Sequence, residues 1–437
     1  MKALLIALAL LQDPAPQPEL NHPWTLQECT EWALEHNLTV ATQAATVAGR
    51  EIDKNTADMS WLPSVNASAS ESWSFGRGIG GNNTYESGNS ASTGFSLSAN
   101  MNLFDGLATP RRIQLAKLNL DAATADLEKA RDDIRVQVAQ AYVQILYNYE
   151  IADVARQQLA IDSLQVARLE GMFANGKASA AEVSQQKASL AQSQVTLVQA
   201  ENSVRSSLLA LAQLLELSDW ESFSIVRPMV ELEELYIGHP DDIYADALGL
   251  RPEIRAEQLR LDGAAKQVQI AQASLMPSLS LSGGLGSNYY SGTFGTQSFM
   301  DQMRNNFSQY VGLSLSIPIF NRFATRNQVR SARLQQSTQQ IQLRRVQQNL
   351  YKEIQSAWNG AVAARAKWEA SRTAAAAAQD AFELMQAKYE NGKATITEFN
   401  ETRNRLVKAQ SDSVQATYEY LYQTRLVEFY RGGALVL

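Results

Sequence analysis

The stretch FANGKASAAEV, Phe173 to Val183, returns in the second half of the chain as YENGKATITEF, Tyr389 to Phe399. In both copies an Asn-Gly pair closes a long apolar-periodic run, the arrangement of a helix C-cap that needs left-handed backbone. Directly after the following Lys-Ala comes an S/T-x-x-E string, Ser179 to Glu182 and Thr395 to Glu398, which is the capping box of a new helix. The chain therefore carries one helix-turn-helix junction twice.

Outward from these turns the likeness continues. Leu103-Phe104 and Ala108-Thr109 recur at the same spacing as Ile319-Phe320 and Ala324-Thr325. Further upstream, Ala33-Leu34 pairs with Ala247-Leu248 and Trp61-Leu62-Pro63-Ser64 with Leu275-Met276-Pro277-Ser278, now at a slightly shorter spacing. The change in spacing falls between Pro63 and Phe104, and length changes collect in exposed loops. The 437 residues are read as two copies of one unit.

Within a unit, strict alternation follows the proline: Val65, Ala67 and Ala69 against Asn66, Ser68 and Ser70, then Phe95, Leu97, Ala99, Met101 and Leu103 against Ser96, Ser98, Asn100 and Asn102. The second unit repeats it with Leu279 and Leu281, and with Val311, Leu313, Leu315 and Ile317. Such alternation predicts strands with one apolar and one polar face. Strands of about ten residues of this kind suit a transmembrane barrel; a hairpin packed on a soluble core is the other reading of the same pattern. Polar loops are expected over Gly76–Ser90 and about Gly286–Gln309.

From Pro110 to Asn175 no further proline interrupts the chain, and Ile113, Ala116, Leu120, Ala123, Leu127, Ala130 and Ile134 keep a heptad. A helix of that length reaches roughly 100 Å. A partner is expected from about Arg326 to Asn391, with helices of about half that length over Leu26–Ser60 and Ala180–Leu217, so that each unit would be a rod. The domain reading is residues 1–16 as signal peptide and tail, and 17–217 as the first repeat (helix, hairpin 62–104, long helix 110–173, helix 179–217). A linker at 218–242 leads to the second repeat, 243–430 (helix, hairpin 277–320, long helix 326–390, helix 395–430), and a tail at 431–437.

Composition removes several classes of function. Apolar residues make up 45% of the chain and charged ones 19%, but the longest wholly apolar run, Ala3 to Leu11, is far short of the roughly 20 residues of a membrane-spanning helix. Met1 and Lys2 before that run, with Asp13 to Pro18 after it, read either as an export signal or as an unstructured start. The net charge of −7 and the lack of a basic run argue against nucleic acid as a partner. Cys29 is the single cysteine, and His22, His36 and His239 lack metal-ligand spacing, so no metal, cofactor or catalytic residue is expected. Gly76-Arg-Gly-Ile-Gly-Gly81 matches a dinucleotide fingerprint formally, but Asn82 to Tyr85 lead on to a strand and not to the helix that fingerprint needs.

Two hairpins give four strands, which cannot close a barrel, and an open sheet edge is not tolerated in hydrocarbon. A spanning chain must therefore associate, with two, three or four copies all allowed by strand number.

The duplicated order of helix, hairpin, long helix, glycine turn and helix resembles the TolC-like outer membrane efflux protein family, from about Trp24 onward. The likeness is carried by the two turn motifs and by Trp24-Thr-Leu-Gln-Glu-Cys29 through Ala33-Leu34-Glu-His-Asn37. It implies a mainly α fold with a small β part: long antiparallel helical hairpins forming a periplasmic α-barrel, and four strands per chain in a twelve-stranded barrel shared by a homotrimer. It implies an outer membrane exit duct that receives cargo through a periplasmic adaptor from an inner-membrane transporter of the RND or ABC type, with outer membrane lipid around the strands. The turns Asn175-Gly176-Lys177 and Asn391-Gly392-Lys393 then become the adaptor-docking tip. Tyr389, Glu182, Glu398 and Glu401 fall at the periplasmic gate, and Ala394 stands where some members carry a basic gate residue. Glu182 and Glu398 fit capping and gating equally, and Glu401 also fits a solvated helix face. Trp61, Trp73, Phe95, Phe104 and Phe320 form the expected aromatic belt, with packing at the helix-strand junction as the alternative for Phe104 and Phe320. A soluble periplasmic coiled-coil adaptor or scaffold is the runner-up function.

Overall fold

The computed structural model describes residues 22–79, 84–228, 237–292, 298–433 and 435. The expected export segment, and part of the glycine-rich hairpin tip, lie outside the described residues. The described residues are mostly helical with one four-stranded antiparallel sheet, and the chain divides into two compact units.

The helical unit comprises residues up to Ala48, Ala123–Ala256 and Arg344–Leu437. It opens with α1 (Leu26–His36), capped by the reciprocal hydrogen bonds of Thr25 and Glu28. The sequence predicts one helix from Leu26 to Ser60; instead α1 stops and α2 (Leu38–Asp58) begins at Asn37. Asn37 leaves helical geometry at ψ 129°, its Oδ1 accepts from the Thr39 N–H at 2.9 Å, and its Nδ2 donates to the Leu214 carbonyl at 3.0 Å. One side chain thus starts α2 and pins the break. The second copy breaks at the equivalent place, where α5 (Pro240–Leu250) gives way at Arg251 to α6 (Pro252–Ala273). There the cause is Pro252, which biases the residue before it away from helical backbone.

Two very long helices, α3 (Ala108–Ala174) and α8 (Ala324–Glu390), have 67 residues each, and the returning helices α4 (Ala180–Leu214) and α9 (Ile396–Tyr430) have 35 each. Within the expected linker, the described residues are ordered by pairing. Trp24 bridges Ile225 in parallel, Val226 N–H donates to the Trp24 carbonyl at 2.9 Å, and the buried Tyr142 hydroxyl donates to both the Trp24 and Val226 carbonyls. Phe223 and Ile225 are buried there. So short a bridge carries too little alternation for this tie to be read from sequence.

The sheet unit comprises Gly49–Ala122 and Glu257–Leu343. Its strands are β1 (Ser64–Ile79), β2 (Tyr85–Phe104), β3 (Ser278–Gly292) and β4 (Ser308–Ser316), paired in chain order. The first three are longer than expected because pairing continues past the apolar alternation: Gly76↔Gly88 and Gly78↔Glu86 lie in the stretch expected as loop. A seven-residue helix, α7 (Phe299–Asn305), stands where a polar loop is expected between β3 and β4.

Candidate functional site

Two regions carry the residues singled out from sequence: the paired turns in the helical unit and the sheet. At the turns, Gly176 and Gly392 both take left-handed backbone, φ +68° and +70°. Lys177 N–H bonds the Met172 carbonyl and Gly176 N–H the Phe173 carbonyl; Lys393 and Gly392 repeat this with Lys388 and Tyr389. This is the Schellman closure of a helix end. Asn175 and Asn391 each donate Nδ2 to the carbonyl four residues back, at 2.7 Å. The family resemblance assigns these six residues to docking, and their backbones are occupied first in turning the chain, with all six exposed.

The glutamates separate by environment. Glu182 accepts from Ser179 N–H and Oγ, and Glu398 from Thr395 N–H and Oγ, all at 2.7–2.9 Å. Both carboxyls are held below the ordinary carboxylate range, chiefly by the backbone N–H donor of the cap residue. Glu401 makes an exposed ion pair with Arg405 one turn on. The capping role is thus present at Glu182 and Glu398 and absent at Glu401. Tyr389 is half-buried: its ring stacks on Phe399 at 4.9 Å, and the Arg168 guanidinium lies 5.5 Å from the ring centroid. Arg168, near the end of α3, also donates to the Glu390 carbonyl, so it ties the end of α8 to α3. Burial raises the Tyr389 phenol above its ordinary value.

Below the turns, Leu169, Val183, Phe382, Ile396, Phe399 and Leu406 form a small apolar core. Next to it lies a polar network that the sequence reading missed. Asp162 of α3 is fully buried and accepts from Arg403 Nη1, Ser193 Oγ, Gln186 Nε2 at 3.1 Å and Gln158 Nε2 at 3.0 Å. Arg403 Nη2 donates to Ser189 Oγ, and Asn400 Nδ2 to Gln186 Oε1, both at 3.3 Å. Residues of α3, α4 and α9 are thereby joined by one carboxylate and one guanidinium. The available signal was positional: Arg403 stands in the stripe Ile396, Phe399, Leu406, where an apolar residue is expected.

In the sheet, the register aligns the predicted faces across all four strands. Ala67↔Leu97↔Leu285 and Val65↔Ala99↔Gly283↔Val311 form apolar rows, and Ser280↔Ser314 with Ser64↔Asn100↔Ser282 form polar ones. The apolar face is most exposed on β4, where Val311 is 83% exposed and Leu313 67%. A bulge between Asn102 and Phe104 brings Phe104 opposite Leu279. Trp61, Phe104 and Phe320, all exposed, flank the strand ends that adjoin the helices; Trp73 and Phe95 are exposed within β1 and β2, since those strands run past the expected hairpin ends.

Among the described residues no group of His, Cys, Asp or Glu is arranged to hold a metal ion, and no helix is long and apolar enough to cross a membrane. The fold, a four-stranded antiparallel sheet joined in sequence to 67-residue helices, is one that solved structures share. The chain is 28% identical over 426 residues to Protein CyaE of Bordetella pertussis, covering 94% of this chain and 83% of that one. It is 25% identical over 326 residues to the outer membrane efflux protein BepC of Brucella suis, covering 74% and 68%. The outer membrane protein VceC of Vibrio cholerae has the same fold, with a TM-score of 0.78 at 24% identity over 94% of this chain and 97% of that one. The family model for outer membrane efflux proteins matches residues 30–216 and again 243–430, and the chain belongs to that family.

Proposed function

We propose that the protein is the outer membrane exit duct of a tripartite efflux or type I secretion system, conducting cargo passively without chemistry of its own. The single observation that carries this reading is the sheet register: it gathers exposed aliphatic side chains on one face and serines and asparagines on the other, which is what a strand between lipid and water requires. Among the described residues, β1 and β4 each keep one unpaired edge. In hydrocarbon those edges must be paired, so copies of the chain close the barrel together, and three copies give twelve strands.

On this reading the helical unit builds the periplasmic tunnel, and the Asn-Gly-Lys turns are the surface offered to a periplasmic adaptor that links the duct to an RND or ABC transporter. Tyr389, Glu182, Glu398 and Glu401 stand at the gate, and the aromatic residues Trp61, Phe104 and Phe320 mark one membrane interface.

Fractionation combined with native mass tests the proposal. The protein is expected to stay with outer membranes through salt and carbonate washes, to need detergent for release, and to have the mass of three chains in native mass spectrometry. Release by carbonate, or a mass of one chain, overturns it, and release by carbonate favours the soluble periplasmic scaffold.

A further inference from the structure

β4 is short. Its nine residues match the roughly nine to eleven that a tilted strand needs to cross hydrocarbon, and its last pairing with β3 is Gly286↔Ser308. β3 continues beyond that point to Gly292, still paired with β2 on one side and, among the described residues, without a strand on the other. Its open edge is met by α7. Gln302 Oε1 accepts from the Tyr290 N–H at 2.9 Å, and Gln302 Nε2 donates to the Tyr290 carbonyl at 2.8 Å. Asn306 Nδ2 donates to the Asn288 carbonyl at 2.6 Å. Two side-chain amides thus supply the hydrogen bonds that a neighbouring strand would have made.

A strand edge in water needs no such partners, because water supplies them; an edge in or at hydrocarbon does. α7 also lies on the apolar face of the sheet and not on the Ser/Asn face. Met303 and Phe307 line a hollow chiefly with Ala67, Ala69, Phe95, Leu97 and Leu285 of that face, with Ser68 and Ser96 between them in the strands. Ser287 Oγ donates to the Met303 carbonyl, and Phe299 meets Tyr289 edge to face at 5.0 Å. α7 turns Met300, 73% exposed, away from the sheet, while Phe299 and, just past the helix end, Phe307 contact the sheet with part of each ring and leave about half exposed. The level is marked independently by Glu71, the first charge on the apolar face of β1, which accepts a hydrogen bond from Thr93 opposite it; Thr93 in turn pairs with Tyr289, beside α7.

We infer that α7 is an interfacial helix: it seals the β3 edge where β4 ends and rests Met300, with the exposed parts of Phe299 and of Phe307 just past its end, in the acyl boundary of the outer leaflet, so that its partner is lipid. A helix with an apolar side lying in the interface plane is a known way of holding protein at a bilayer. The inference rests on the membrane reading above, and its test separates the two.

Full-length protein is labelled with a nitroxide at Met300→Cys, and separately at Leu313→Cys on the bare face of β4 and at Lys177→Cys at the first turn. Each is reconstituted into phosphatidylcholine–phosphatidylglycerol vesicles. Cys29 is fully buried and its thiol is pushed up to about 12 by burial, so it does not compete for the label. Collision with oxygen, which concentrates in lipid, and with a water-soluble nickel chelate is then measured. The label at 300 is expected to follow the label at 313, with oxygen dominant, and to differ from that at 177. Chelate-dominated relaxation at 300 with oxygen dominant at 313 overturns the inference alone; chelate dominance at both overturns the membrane reading with it. As a second readout, Gln302→Ala is expected to speed hydrogen exchange of the Tyr290 amide by about fivefold, the loss of one net hydrogen bond of about 1 kcal/mol. The unchanged protein is the comparison, and a Tyr290 amide that exchanges at the same rate in Gln302→Ala refutes edge sealing.

Discussion

At the scale of single residues, Asp162 and Arg403 decide how the ends of α3, α4 and α9 are held together. A carboxylate with 0% exposure and a guanidinium with 4% have lost most of their hydration, so their attraction offsets a large desolvation cost and is no measure of stability by itself. Removing one partner is different, because it leaves the other charge buried. Arg403→Met is expected to cost about 3–5 kcal/mol and to lower the thermal midpoint of detergent-extracted protein by circular dichroism. Arg403→Met with Asp162→Leu should recover only part of that loss, since Gln186 and Ser193 then lack their acceptor; full recovery would mean that those two bonds are dispensable. The carboxylates proposed for the gate call for a change that removes their charge and, at Glu398, keeps the cap. Glutamine also serves in a capping box, so Glu398→Gln with Glu401→Gln should leave folding intact and weaken block by multivalent cations in planar-bilayer recordings. Unchanged block places both side chains away from the pore. Because the Glu182 and Glu398 carboxyls are held below their ordinary value, the charged capping bonds contribute fully above the unfolded carboxylate range and are lost as pH falls through the lower folded value. Protection of the Ser179 and Thr395 amides should therefore be flat from neutrality to mild acidity and collapse only below it.

At the scale of elements, the turns that were legible are those with side-chain signatures. Asn-Gly and the S/T-x-x-E boxes name their own geometry, so both helix-to-helix turns could be placed to the residue. The break at Asn37 could not, because asparagine inside an apolar-periodic run is also an ordinary surface residue; only its bond to the distant Leu214 carbonyl marks it as a stop. For the same reason α7 was invisible: so short a helix holds too few periods to count, and its role lies in amide contacts across the β3 edge. The strand-to-helix turns contrast in a testable way. Gly106 and Leu107 both take positive φ before α3, as Arg322 and Phe323 do at the equivalent positions before α8. A Cβ at Gly106 would stand 2.5 Å from the Ala273 carbonyl oxygen and 2.9 Å from Met276 Cβ, whereas one at Gly392 would meet nothing within 4 Å. Gly392→Ala should thus cost about 1–2 kcal/mol of backbone strain only, and Gly106→Ala distinctly more. Thermal midpoints of the two variants compare them directly, and equal shifts would show that α6 yields at little cost.

At the scale of the whole molecule, the four strands leave the outer edges of β1 and β4 as the surfaces that decide assembly. An isolated chain would expose two ladders of unpaired N–H and C=O groups to lipid, at several kcal/mol for each group. Pairing β1 of one copy with β4 of the next satisfies both and repeats around a closed ring, which is the heterologous contact that generates cyclic symmetry. Because strands neighbour each other in the order β1-β2-β3-β4, β1 and β4 are the outer strands of the sheet, each with a single neighbour among the described strands. Cysteines at Val65 and, in turn, at Val311, Leu313 or Leu315 all sit on the apolar face, and the β1–β4 register between copies selects which of them comes within disulfide reach. Under mild oxidation one of these double variants is expected to give a ladder of one, two and three chains on a non-reducing gel, with the matching single variants remaining monomeric. A ladder that ends at two or four chains would fix a barrel of eight or sixteen strands in place of twelve. Cross-links confined within single chains would mean that the sheet curls on itself, and the exit-duct reading would lose its barrel.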